Sequence, residues 1–373
     1  MKLFVFIASF LICTTVLAQD HYFMLVGTYT NTTSAGIYVY DFNSSDGSSR
    51  LIDSARTSNP SYLAVSPNKQ FVYSVSEVVR GNNSGQVKAF SFNKKTGHLN
   101  LLDGQPSMGD NPCYISVDQT GKWIFVANYS SGSLASLPIL KDGSVGPPIS
   151  SIQHYGHGTN AGRQEAPHVH STVVAPDNRF LLVSDLGKDK IMLYAIDNKT
   201  GALTRAADSA VKLPDGSGPR HFDFHPNKKW GYLIQEMGGT VTAFDYSKGH
   251  LRQFQTIRAL PAGFTDYFTS ADIHVSPDGK FLYASNRDSS NTIAIFKIDQ
   301  KDGKLSLLGH QSTLGRTPRN FNLDPTGNFL LVANQNSNDI IVFRVNRTTG
   351  LLTDTGKRIY VPRPVCVKWA GKR

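Results

Sequence analysis

Charged side chains are scarce in this chain: Asp, Glu, Lys and Arg make up 18% of its 373 residues. Coiled coils and long solvated helices need far more, so both are excluded. Cysteine is almost missing, with three residues in all, too few for a disulfide framework. No window carries a run of five or more Lys and Arg. The formal charge of +10 is therefore dispersed, which argues against a nucleic-acid partner and for a solubilising surface with a preference for small anions. Long apolar runs are lacking too, except at the N-terminus. There Lys2 precedes an uncharged stretch from Leu3 to Leu17, and Val16, Leu17 and Ala18 stand before Gln19. These are the three parts of a secretory signal peptide, too short for a confident membrane span. The expectation is that residues 1–18 are removed and residues 19–373 form one exported domain, secreted or periplasmic and not inserted in a membrane. Cys113 and Cys366 then remain, expected as two free thiols.

Gly and Pro are plentiful, 32 and 18 residues, and they punctuate a repeat. A short extended stretch, a turn and an apolar run recur with Pro67, Gln119, Pro176, Pro226, Pro277 and Pro325 at the common turn position, spaced 52, 57, 50, 51 and 48 residues apart. Within the last copy, Phe321 to Leu323, Phe329 to Asn334, Ile340 to Val345 and Leu351 to Tyr360 read as four short strands. Four strands per unit of about fifty residues is the blade of a β-propeller. At the front of the chain three strands lack an inner one, and at the back PVCVKWA supplies one. The expected fold is all-β, a seven-bladed propeller whose ring closes through a blade shared between the two ends of the chain, leaving no open sheet edge. Two separate β-sandwiches would not explain the complementary fragments.

Inner strands line the channel of a propeller, so one repeat position across blades forms a ring. Six residues before the turn stand Ser61, Cys113, His170, Arg220, Ala271 and Arg319, with Val365 in the shared blade. A second level, at the end of the next strand, holds Glu77, Tyr129, Leu186, Glu236, Arg287 and Gln335, preceded by Asn128, Asp185, Gln235, Asn286 and Asn334 from the second copy onward. Scaffold positions recur while these slots diversify in charge, the pattern of a binding site. His168 and His170, two residues apart on a strand, could form a zinc pair, but no Cys or HExxH partner accompanies them, and substrate contact or acid–base work by His170 is preferred. Arg220, Arg287 and Arg319 could equally be ion-pair partners of Glu236 or Asp185. No metal or cofactor is expected.

The segments APHVHS, GPRHFDFHP, a strand ending in Gln235-Glu236, SPDGKFLYASNR and TPRNFNLDPTGNFLLVANQ, in this order, resemble the lactonase family with a seven-bladed propeller, which includes propeller-type 6-phosphogluconolactonases and carboxy-muconate lactonising enzymes. The resemblance covers nearly the whole mature chain. It implies an active site of His170, Arg220, Arg287 and Glu236, the residues that the slots select independently. Gln235 departs from the Asn often found in the family. The substrate implied is a small anionic lactone, sugar-derived or other, opened by water that Glu236 orients or His170 deprotonates near neutrality. Arg220 and Arg287 would hold the oxyanion, and His168, Asp185, Asn286, Arg319 and Gln335 would bind substrate. A cycloisomerase using the same Arg pair and a non-catalytic binding propeller are the alternatives; a monomer or weak dimer is expected.

Overall fold

A computed structural model describes residues 20–78 and 85–373, the side chains of 207–209 excepted; the expected signal peptide lies outside the described residues. Each copy of the repeat forms a four-stranded antiparallel sheet, and there are seven sheets around one axis. Blades 1 to 6 occupy residues 63–106, 112–153, 169–212, 219–258, 270–312 and 318–360. The seventh sheet takes its inner strand, Pro364–Lys372, from the end of the chain, and His21–Thr28, Gly36–Asn43 and Ser49–Arg56 from the beginning. Leu25 pairs with Lys368, Val26 with Val367 and Gly27 with Cys366, so the ring closes as the fragments required.

The turn residues explain each hairpin. Asp118 accepts backbone N–H bonds from Thr120, Lys122 and Trp123 at 2.7–2.9 Å, which folds the chain back between the first and second strands of blade 2. Apolar residues on both faces of the second and third strands pack against the neighbouring blades; Val72, Tyr73 and Val75 are fully buried in one such interface. A second contact joins blades at their rims. Each turn between third and fourth strands places a positive-φ glycine against an aromatic near the start of the preceding blade's second strand. The pairs are Gly47 on Phe329, Gly97 on Phe23, Gly143 on Phe71, Gly201 on Trp123, Gly249 on Phe180, Gly303 on Trp230 and Gly350 on Phe281, one for every interface. A Cβ at any of these would run into the ring.

One irregularity prepares the channel. In blades 2, 3 and 6 the pairing of inner and second strands skips Cys113, His170 and Arg319, and in blades 4 and 5 it shifts across Arg220-His221 and Ala271-Asp272. A β-bulge inserts one residue that the partner strand does not match, which re-aims its side chain. The bulge sits at the slot that the repeat alignment marks as diverse.

Candidate active site

A cavity of about 410 Å³ opens at the end of the channel where the inner strands begin and the second strands end. Its wall contains Cys113, His170 and Arg319 from the first level of slots and Glu77, Tyr129, Glu236 and Arg287 from the second. The two levels therefore meet in one place.

Glu236, 4% exposed, is the hub. Its Oε2 accepts from Arg220 Nε at 2.9 Å and lies 3.1 Å from Arg287 Nη2, while Oε1 accepts from Arg163 Nη2 at 2.5 Å. Burial alone would raise the carboxyl's pKa, but Arg287, Arg220 and Arg163 outweigh it and hold the value at about 2. Glu236 is thus a fixed anion and a poor proton acceptor. Arg287 donates to the Ser270 carbonyl at 3.2 Å, and its buried Nε has no partner among the described residues. Arg319 lies 5.5 Å from the centre of the Tyr29 ring, and among the described residues its guanidinium makes no hydrogen bond or ion pair. Cationic donors thus remain for a ligand at two points of the wall.

His170 lines the cavity 4% exposed, its ring 5.3 Å from that of His221. Burial, with Arg220, His221 and Arg319 adding to it, holds the pKa well below the ordinary imidazole value. The expected titration near neutrality is corrected accordingly: the imidazole is neutral throughout that range. Cys113, free as expected, has an imidazole beside it. Its Sγ sits 3.8 Å from His170 Nδ1, a neighbour that the sequence order conceals. The thiol is nevertheless pushed up by burial and is no nucleophile at neutral pH. Both cysteines are free.

Arg220 does not reach the cavity wall. It is 1% exposed, and besides Glu236 its Nη1 donates to the Ala271 carbonyl at 2.6 Å and approaches His221 Nε2 at 3.1 Å. The ligand that it holds is Glu236, not an oxyanion in the cavity. His168 turns aside as well, because the bulge at His170 breaks the strict alternation that would face both imidazoles one way. Its ring stacks on Tyr129 at 4.4 Å and its Nδ1 lies 3.0 Å from the Tyr129 carbonyl oxygen. Asp185 is fully buried, paired with His154 Nδ1 at 2.6 Å and accepting from the His168 N–H at 2.9 Å. Asn286 donates to the Ala259 carbonyl at 2.7 Å, and Gln335 is absent from the cavity wall. Asp185 and Asn286 support the rim from behind. Among the described residues no group of three His, Cys, Asp or Glu is placed to hold a metal ion.

Seven wall residues escape the slot reading: Asn111, Ser130, Thr269 and Asp288 stand within two residues of a slot, and Arg163, Tyr267 and Tyr29 do not. Arg163 and Tyr267 come from the loops between blades 2 and 3 and between blades 4 and 5, which have no counterpart in the repeat. Tyr29 had a signal: it follows the second strand of the shared blade, the place that Glu77 and Glu236 hold in theirs.

Residues 23–369 match the family model described as "Lactonase, 7-bladed beta-propeller". The chain is 39% identical to a 6-phosphogluconolactonase of Formosa agariphila, covering 91% of this chain and 96% of that one. It is 36% identical to a 6-phosphogluconolactonase of Bacillus subtilis, covering 93% and 98%. The solved structure of the Pseudomonas aeruginosa periplasmic gluconolactonase superposes with a TM-score of 0.89 at 36% identity, over 94% of this chain and 99% of that one. With its seven blades, its shared closing sheet and a cavity ringed by arginines, the chain belongs to the family of seven-bladed β-propeller lactonases.

Proposed function

We propose that the protein hydrolyses a sugar-derived lactone to the open hydroxy acid, without a metal, after export and loss of residues 1–18. The observation that carries this reading is Glu236 clasped by three arginines in the one cavity that His170 also lines. Relatives named 6-phosphogluconolactonase and gluconolactonase support it.

Water held between Glu236 and His170 attacks the lactone carbonyl, and the neutral imidazole takes its proton. Arg287, with spare donors toward the cavity, stabilises the tetrahedral oxyanion. The ring C–O bond then breaks, its electron pair stays on oxygen, and the imidazolium returns the proton there. Because burial and three neighbouring cationic or imidazole groups disfavour that imidazolium, it gives the proton up readily. Arg319 takes a negatively charged group remote from the carbonyl where the substrate carries one. Arginines around the carboxylate repel cations, which supports metal independence. A pH-stat screen of aldonolactones, with and without phosphate and after prolonged EDTA treatment, tests the reading. Arg287→Ala is expected to lower kcat roughly 100- to 1000-fold, and Arg319→Ala to act mainly on KM. Hydrolysis lost in EDTA and restored by a divalent ion, or an Arg287→Ala variant as fast as the parent, would contradict it.

A further inference from the structure

Opposite the Glu236 cluster, the cavity wall is built from blade 6, the shared blade and blade 1. Here the Tyr29 hydroxyl donates to both carboxylate oxygens of Glu77, at 3.0 and 3.1 Å. Glu77, Tyr29 and Arg319 all line the cavity.

Asn59 locks this pair in place. Its side-chain oxygen accepts from the Thr30 N–H at 2.8 Å, and its amide donates to the Glu77 carbonyl at 3.0 Å. The residue after Tyr29 and the end of blade 1's second strand are thereby tied to one side chain. A carboxylate has about four acceptor positions, and one phenol proton shared between its two oxygens leaves most of them open. Arg319 does not fill them, since no Arg319–Glu77 ion pair forms among the described residues. The wall therefore offers a rigid acceptor with spare capacity. Hydroxyl groups satisfy such an acceptor, and two on adjacent carbons satisfy both of its oxygens. A lactone without hydroxyls would strip water from the carboxylate and return nothing, and a site built to bind a substrate hydroxyl discriminates strongly against the analogue lacking it.

On the lactonase reading above, we infer that Glu77, held by Tyr29, is the residue that selects hydroxylated lactones over bare ones of the same ring size. The experiment compares D-glucono-δ-lactone with δ-valerolactone, which shares the six-membered ring and carries no hydroxyl, in wild type, Glu77→Ala and Glu77→Gln. Glu77→Ala is expected to raise KM for gluconolactone roughly tenfold or more with kcat changed less than threefold, and to lower the ratio of the two kcat/KM values by a similar factor. Glu77→Gln keeps an acceptor for Tyr29 and guards against a folding defect; its ratio is expected to fall between the other two. A ratio within twofold of wild type in both variants overturns the assignment, whatever happens to stability. Wild-type protein that hydrolyses neither lactone would instead sink the reading on which the inference rests.

Discussion

At Glu236 one carboxylate faces three guanidiniums, and two of the four groups, Glu236 and Arg220, are almost without solvent. Breaking a buried ion pair from one side leaves an uncompensated charge and costs about 3–5 kcal/mol, so substitutions at Glu236 mix stability with chemistry. His170 is a cleaner probe. A base whose pKa is depressed stays in its active, neutral form as the pH falls. The rate should therefore show no inflection from His170 between about pH 6 and 8, near the ordinary imidazole pKa of about 6.5, and acid should inhibit only well below it. Initial rates across this range in wild type and His170→Ala provide the check; a rise through neutrality that disappears in the variant would show that the imidazole titrates normally. That Glu236, Arg287, His170 and Arg319 come together in one wall was legible in the sequence because each falls on a slot where the repeat varies. Asp185 and Asn286 were misread because the residue just before the slot faces the opposite side of its strand. Its side chain there bonds the backbone entering the same blade: Asn128 donates to the Ser107 carbonyl, Asn286 to that of Ala259 and Asn334 to that of Thr313. Arg163 left no trace in the pattern, since a loop between blades has no copies to be compared with.

Among the elements, strand order and ring closure followed directly from the repeat, whereas the glycine seats at the rim did not. A glycine two to five residues past the third strand reads as an ordinary turn residue; except at the shared blade, where Gly47 meets Phe329, the aromatic ring it covers is about seventy positions away in sequence, and always one blade away in space. Gly143, with φ +86°, lies against Phe71, and its carbonyl accepts from the Tyr73 hydroxyl at 3.0 Å. Gly263, with φ +71°, has nothing within 4 Å of where a Cβ would stand. Both glycines share the backbone conformation that disfavours Ala by about 1 kcal/mol, so the pair separates backbone strain from contact. Gly143→Ala is expected to cost about 1–3 kcal/mol more than Gly263→Ala, the usual range for overpacking. Equal denaturation midpoints for the two variants would mean that the rim contact is slack.

Across the whole molecule, a second buried network links blades. His221 of blade 4 meets Asp272 of blade 5 at 2.7 Å; Asp272 accepts from His274 at 3.1 Å and from Asn320 of blade 6, and Asn320 accepts from the Val367 N–H of the shared blade at 2.7 Å. Burial opposes charge on His274, but Asp272 and Asp223 prevail and lift its pKa to about 9. A raised value means stability fully present below the unfolded pKa of about 6.5 and lost as pH rises through about 9. His221, lowered to about 3 by burial and Arg220, acts in the other sense: the unfolded chain takes up a proton below about 6.5 that the folded one refuses. Glu236 adds a loss as pH falls from about 4 toward 2. Melting temperature should therefore peak near pH 6.5, decline from there to about pH 9 as His274 loses its proton, and decline below about pH 6.5 as the unfolded chain protonates His221, with the alkaline decline reduced in His274→Gln. A melting temperature constant from pH 4 to 10 would show that these groups do not couple to folding.

The shared blade also fixes the order of events in the life of the chain. Tyr22 pairs with Lys372, so the innermost hydrogen bonds of that sheet join the first described strand to the last. During synthesis the ring stays an open arc until Pro364–Lys372 has been made, and no shorter fragment owns a finished site between blades 6 and 1. Closure of the ring therefore waits for Pro364–Lys372, whereas the Tyr29–Glu77 pair, bonded entirely within residues 29–77, can be in place before that strand exists.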